Sequence, residues 1–232
     1  MTVSQETQPI GPLVDPRPAP RPVHVTLKGR AVTLVALDVA HAPALYGGSH
    51  GDGRESLWTY LFNGPFAEEA EFTADVEAKA KAADPLYHAI IDNATGKAVG
   101  YQSLMRIDPA HRVIEVGGIL YTPAMQRTVG ATEAQYLFAR HVFDDLGYRR
   151  YEWKCNDFNA PSKRAATRFG FTFEGVFRQH MIVKSRNRDT AWFSMLDCEW
   201  PARRAEFQRW LDPDNFDAAG RQKTNLDMGI AK

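Results

Sequence analysis

Cysteine is scarce in this sequence. Only Cys155 and Cys198 are present, too few for a disulfide framework and without the spacing of a metal site. His88, His111, His141 and His180 are scattered in the same way, so no metal is expected. An excess of one charge is missing too. The 28 Lys and Arg balance 28 Asp and Glu, which gives no global attraction to nucleic acid or to an anionic membrane. No apolar run approaches the length of a membrane span, and the N-terminus lacks the basic-then-apolar order of a signal peptide. A reduced, cytoplasmic protein is the expectation. The common phosphate signatures are absent as well: no GxxxxGK with Ser or Thr, and no GxGxxG after the first strand. Repeats and low-complexity domains do not occur.

What is present centres on Gln126 to Gly147, QRTVGATEAQYLFARHVFDDLG. Ala134, Leu137, Phe138, Val142 and Leu146 recur at helical spacing, and Gly147 suits a left-handed C-terminal position. Before the helix, Gln126, Arg127, Thr128, Val129, Gly130 and Ala131 are polar or small. Their backbone N–H groups can gather at the positive end of the helix dipole, where a phosphate or pyrophosphate binds well.

The rest of the chain divides into three. Residues 1–24 read as an extended arm, with Pro9, Pro12, Pro16, Pro18, Pro20 and Pro22. Residues 25–211 form the expected domain, and residues 212–232 a polar tail. Within the domain, Arg30–Leu37 alternates like a strand, and helices are expected over Asp38–Tyr46, Ser56–Leu61 and Glu68–Ala83. Strands follow at Leu86–Ile91, Ala98–Ile107 and His111–Tyr121. The adjacent Gly117 and Gly118 in the last of these suggest a bulge or a splayed backbone. Beyond the central helix come a strand at Tyr151–Cys155 and a helix from Asn159 to Phe169, capped by Asn159 with Pro161 in its first turn. Terminal strands at Phe171–Phe177 and Thr190–Trp200 are joined through the basic Lys184–Asp189 stretch, and Pro201–Leu211 closes the fold as a helix. This order predicts an α/β (α+β) fold with a mixed, largely antiparallel sheet flanked by helices.

Two clusters at their proper separation resemble the GCN5-related N-acetyltransferases, the GNAT superfamily. The first is the cradle pattern of Gln or Arg, two residues, Gly, one residue, Gly or Ala. Aligned on Thr132-Glu133-Ala134, Gln126 takes its first position, Val129 its middle glycine and Ala131 its last. Val129 departs from the pattern, since valine does not readily adopt positive φ. The other register starts at Arg127, with Gly130 in the middle and Thr132 last. The second cluster is Cys155-Asn156-Asp157-Phe158-Asn159-Ala160-Pro161-Ser162, then Arg168-Phe169-Gly170-Phe171. It resembles the branch holding the ribosomal-protein amino-terminal acetyltransferases.

The resemblance implies a sheet splayed into a V between the strands of Val113–Tyr121 and Tyr151–Cys155. Acyl-coenzyme A, acetyl-CoA first among the donors, would place its pyrophosphate on Gln126 to Thr132. Its pantetheine arm would pair along Ile119, Leu120 and Tyr121, while the acceptor amine enters from the opposite side. Attack needs a base, and Glu115 is the candidate. Its alternative is a carboxylate paired with Arg106 or Arg112. A backbone N–H near Leu120 or Tyr121 is suited to the oxyanion. In the resembling branch a serine at the Ser162 position protonates the departing thiolate; otherwise that hydroxyl finishes a helix cap. Asn159 either caps alone or also touches the co-substrate, Asn156 ties the strand end, and Tyr121 positions the thioester or packs.

The acceptor is the open question. Trp58, Tyr60, Phe62 and Phe66 either wall the acceptor side or belong to the core, and His180 either walls it or sits on the surface. Protein or peptide N-termini, small-molecule amines and lysine side chains all qualify. Arg54, Arg106 or Arg127 could pair with the carboxylate of a succinyl donor. A catalytically silent acyl-CoA-binding module is the competing class, since a fold does not establish activity. Trp210 on the last helix serves either a homodimer contact or internal packing.

Overall fold

The computed structural model describes residues 8–229; residues 1–7 of the arm and 230–232 of the tail lie outside it. Eight strands form one sheet in the order β1-β2-β3-β4-β5-β6-β8-β7. They are β1 (Leu27–Lys28), β2 (Val32–Ala36), β3 (Leu86–Asp92), β4 (Ala98–Asp108), β5 (Val113–Tyr121), β6 (Arg150–Asn156), β7 (Thr172–Val183) and β8 (Arg186–Leu196). Every pairing is antiparallel except β5 with β6. A parallel pair needs a long crossover, and the helix α3 (Val129–Arg140) supplies it.

Two apolar layers cover the sheet. On one face α3, α4 (Ala160–Arg168) and α5 (Trp200–Leu211) enclose the larger core, with Leu104, Ile114, Val116, Tyr151 and Phe193 beneath them. On the other, α1 (Ala42–Ser49) and α2 (Glu69–Ala80) cover only the β2–β4 side, around Trp58, Phe72, Tyr87 and Tyr101. The β5-β6-β8-β7 half of that second face therefore carries no helix.

α3 is buried on all sides rather than on one apolar stripe, and Thr132, Glu133 and Gln135 within it each make a side-chain hydrogen bond, although the Gln135 Oε1 has no partner among the described residues. Glu133 accepts the backbone N–H groups of Arg30, Ala31 and Val32 at 2.8, 2.7 and 2.9 Å. Gln135 donates to Gln102 and to the Tyr121 hydroxyl, and Arg168 donates to Thr132. These bonds offset the desolvation that burial imposes. After Arg140 the helix widens into a π turn over His141–Asp145, and Gly147 leaves it at φ +67°.

The C-terminal strands differ from the sequence expectation. β7 runs to Val183 and β8 starts at Arg186, so Lys184 and Ser185 alone make the turn, at φ +49° and +58°. Two residues with positive φ match the right-handed twist of the flanking strands. Arg186 to Asp189 of the basic stretch are thus strand, and Arg188 among them has a buried side chain. Trp200, expected at the end of β8, instead opens α5 and stacks on Phe143 and Tyr136. Arm residues Arg17 and Pro20 offer backbone oxygens to Arg112 and Tyr148, respectively. At the other end Met228 is buried in the larger core.

Candidate active site

β5 and β6 stay paired only from Val113 opposite Arg150 to Val116 opposite Trp153. Beyond Val116 they separate. The cause lies in β5: between Gly117 opposite Ser103 and Leu120 opposite Tyr101, Gly118 and Ile119 together face Gln102 alone. This is a β-bulge, and it bends β5 away from its parallel neighbour. Gly118 takes φ +57°, and a Cβ there would lie 2.7 Å from the Tyr87 hydroxyl, so only glycine fits. A cleft of about 1560 Å³ runs through the gap from the cradle helix to the helix-free half of the sheet.

The cradle side is built by α3 and α4. Thr128 caps α3, its hydroxyl accepting the Ala131 N–H at 3.2 Å, which leaves the N–H groups of Val129 and Gly130 in the first turn outside the helix ladder. Gln126, Arg127, Thr128, Val129, Ala131 and Thr132 all line the cleft. Gly130 does not. It faces β2, where an added Cβ would meet Val32 at 2.7 Å, so it allows α3 to pack closely on the sheet. Arg127 takes the positive φ, +61°, while Val129 is an ordinary first helical residue; the departure at Val129 thus places no strain on a valine. The Gln126 side chain donates to the Tyr121 carbonyl and braces the end of β5.

On α4, Asn159 accepts the Ser162 N–H at 3.1 Å. The Ser162 hydroxyl accepts the Trp153 indole N–H at 3.0 Å, which leaves its own proton to donate. Asn156 accepts the Phe158 N–H and shapes the loop into α4. Asn156, Asn159 and Ser162 line the cleft together with Ile119, Leu120 and Tyr121. The Tyr121 hydroxyl, however, is held between Gln102 and Gln135 at 2.7 Å each, and burial raises its pKa far above the usual range. That proton is committed to the interior.

Glu115 lies across the cleft, on the helix-free face, and is 4% exposed. Lys154 approaches its Oε2 at 2.9 Å and Arg106 at 3.2 Å. Lys154 also meets Glu152 at 2.6 Å, and Arg150 joins Glu152 to Glu174. Charges therefore alternate along Arg106, Glu115, Lys154, Glu152, Arg150 and Glu174. The Lys154 ammonium also sits 3.8 Å from the centre of the Trp192 ring. Burial pushes the Glu115 carboxyl above the usual carboxylate range, against the opposing pull of Lys154 and then Arg106. Both cations sit on Oε2, with the Lys154 ammonium at hydrogen-bond distance from it. The pairing expected as the alternative is present, with Arg106 and not with Arg112, and Glu115 also faces the cleft.

A family model described as an acetyltransferase (GNAT) domain matches residues 31–172. The chain belongs to the GNAT acetyltransferase family. Its fold superposes on a GCN5-related N-acetyltransferase from Brucella melitensis, with 53% sequence identity and a TM-score of 0.89 over 90% of this chain and 96% of that one. A structure described as a probable GNAT-family acetyltransferase from Chromobacterium violaceum shares 40% identity at a TM-score of 0.77, covering 85% of this chain and 100% of that one. The microcin C7 self-immunity acetyltransferase, solved in complex with acetyl-CoA and AMP, shares the fold at 20% identity and a TM-score of 0.64, over 72% of this chain and 93% of that one. A search of curated proteins returned no significant match.

In this GNAT domain the aromatic set splits. Trp58 is 1% exposed and packs with Phe66 and Phe72 in the smaller core, whereas Tyr60 and Phe62 line the cleft. The Tyr60 hydroxyl donates to the Phe158 carbonyl, and Lys184 at the β7–β8 turn donates to the carbonyls of Trp58 and Gly64. The 55–64 segment is thereby tied to the loop before α4 and to the β7–β8 turn. His180 lines the cleft and bonds Thr190 at 3.0 Å; burial, then Arg106, Arg188 and Lys154, hold its imidazole below its usual pKa. Arg54 is used by the Gly47 and His50 carbonyls. Lys154 and Arg188 escaped the sequence reading. The cue for Lys154 was its place two residues after Glu152, which puts both on one face of β6. Among the described residues no cluster suited to a metal occurs, and no helix is long and apolar enough to cross a membrane.

Proposed function

We propose that this chain is an acyl-CoA-dependent N-acyltransferase that transfers acetyl from acetyl-CoA to a primary amine by direct attack in a ternary complex. Glu115 carries the reading. It is a buried carboxylate at the splay of β5 and β6, facing the cleft, with Lys154 and Arg106 both on Oε2. Burial raises its pKa above the usual carboxylate range against the pull of Lys154 and Arg106, and a more basic carboxylate is a better proton acceptor. In this role Glu115 takes the proton of the bound ammonium, directly or through one water, and Lys154 and Arg106 hold its charge in place.

The acyl donor fits the other half of the cleft. The first-turn N–H groups of α3 and the Arg127 side chain are suited to its phosphates. The opened edge of β5 is suited to its amide arm. Thr122 N–H donates to Val99 on the β4 side, so strand alternation turns the Tyr121 N–H toward the opened edge, where an oxyanion would form. The Ser162 hydroxyl, whose oxygen accepts the Trp153 indole N–H, has a proton to give to a departing thiolate. The Asn156 to Phe171 cluster favours the branch of the ribosomal-protein amino-terminal acetyltransferases, and with it a peptide or small-molecule amine as acceptor.

The test is thiol release from acetyl-CoA with peptides, amino acids, amino-acid amides, polyamines and aminoglycosides, repeated with Glu115→Gln. The reading expects turnover with at least one amine and a loss of 100-fold or more in the variant. Saturable binding of coenzyme A without release for any amine would replace the transferase with an acyl-CoA-binding module.

A further inference from the structure

We infer that Arg188 forms a carboxylate-binding subsite on the acceptor side of the cleft, so that one of the two reactants carries a carboxylate close to the reacting centre. Arg188 is 7% exposed and lines the cleft. Among the described residues no carboxylate lies within ion-pair distance of its guanidinium, and its Nε has no hydrogen-bond partner. Glu115 is near enough to act on it electrostatically, yet its contacts are taken by Arg106 and Lys154. The Cys155 thiol is also near, and the centre of the Phe62 ring lies 5.0 Å from the guanidinium carbon.

A buried cation without a counter-ion is costly, and arginines buried for structural reasons are normally paired. Here burial is combined with access to a cleft and with a rigid fork that matches a carboxylate in two parallel hydrogen bonds. Arg188, Thr190 and Trp192 alternate onto the same face of β8, and His180 joins Thr190 there as a further polar contact. Arg106 and Lys154 are shared with Glu115, which leaves Arg188 as the cation of this chamber without a carboxylate at ion-pair distance among the described residues. It suits an anionic group and opposes a polycationic peptide.

The carboxylate has two sources, the acyl donor or the amine acceptor, and the inference rests on the acyltransferase reading of the same cleft. Calorimetry on the full chain distinguishes them with two matched pairs. Succinyl-CoA against butyryl-CoA tests the donor; phenylalanine against phenylalaninamide, added to protein saturated with coenzyme A, tests the acceptor. In one pair the carboxylate member binds at least tenfold tighter, as expected for a charge-assisted bidentate contact. Arg188→Met abolishes that preference, Arg188→Lys restores part of it, and the affinity for coenzyme A itself stays within twofold. Equal binding within both pairs by the wild-type protein overturns the subsite, as does a preference that survives Arg188→Met. Because wild-type discrimination is itself a test, a variant that misfolds does not shelter the inference. Failure of coenzyme A to bind at all would instead sink the acyltransferase reading.

Discussion

Replacing Lys154 with Met removes one positive charge from between two buried carboxylates and retains an unbranched chain against Trp192. Lys154 lies 2.9 Å from Glu115 and 2.6 Å from Glu152, and its side chain is 6% exposed. At an effective dielectric of about 20, unit charges about 4 Å apart interact by about 4 kcal/mol. If relaxation and water recover half of that, about 2 kcal/mol is lost from the Glu115 anion, or about 1.5 pKa units at 1.36 kcal/mol per unit. The sign is fixed. Lys154 favours the charged carboxylate, so its loss raises a pKa that burial has already raised, and the repulsion from Glu152 is no longer offset. Glu115 serves as a base only when deprotonated. The acid limb of kcat/KM against pH must therefore move to higher pH by about 1–2 units, while the plateau above it falls far less. The assay is thiol release across pH 5–9 for wild type, Lys154→Met and Glu115→Gln, with circular dichroism at each pH to confirm folding. An acid limb in the folded Lys154→Met protein that stays in place or moves to lower pH would refute Glu115 as the base.

Ser162→Ala should lower turnover about 10- to 100-fold and, by leaving the Trp153 indole N–H without its acceptor, cost about 1–2 kcal/mol in urea unfolding. Glu133→Gln should destabilise the fold by about 2–4 kcal/mol, because an amide nitrogen would face one of three backbone N–H donors; coenzyme A binding, measured by calorimetry, should weaken with it as α3 loosens. Gly118→Ala should cost about 1–3 kcal/mol in the same unfolding assay, and a Gly118→Ala, Tyr87→Phe double variant should recover part of the loss by removing the oxygen that the new Cβ meets.

Much of the fold is legible in the sequence because its signals are local. The Gly117-Gly118 pair marks the bulge before any partner strand is known, and Asn159 with Pro161 marks the start of α4. What the sequence hides is side-chain pairing across distant segments. Glu133 looks like an ordinary helix carboxylate until the β1–β2 turn, about a hundred residues earlier, brings three N–H groups to it. Gly130 looks like part of a phosphate loop until Val32 is seen against it. The run Lys184 to Asp189 reads as a solvated loop because its residues are basic, whereas strand pairing draws Arg188 inward and leaves only two residues for the turn. Lys154 is concealed in the same way, as its two carboxylate partners come from its own strand and from the parallel neighbour.

The ties that hold the 55–64 segment have a consequence for what can reach Glu115. Lys184 fastens the β7–β8 turn to the Trp58 and Gly64 carbonyls, and Tyr60 fastens the same segment to the loop before α4. Under the proposed acyltransferase function these ties leave an acceptor to be threaded beneath the segment rather than laid in sideways, and severing either of them, by Lys184→Met or Tyr60→Phe, should widen the range of amines accepted before it changes the rate on any of them.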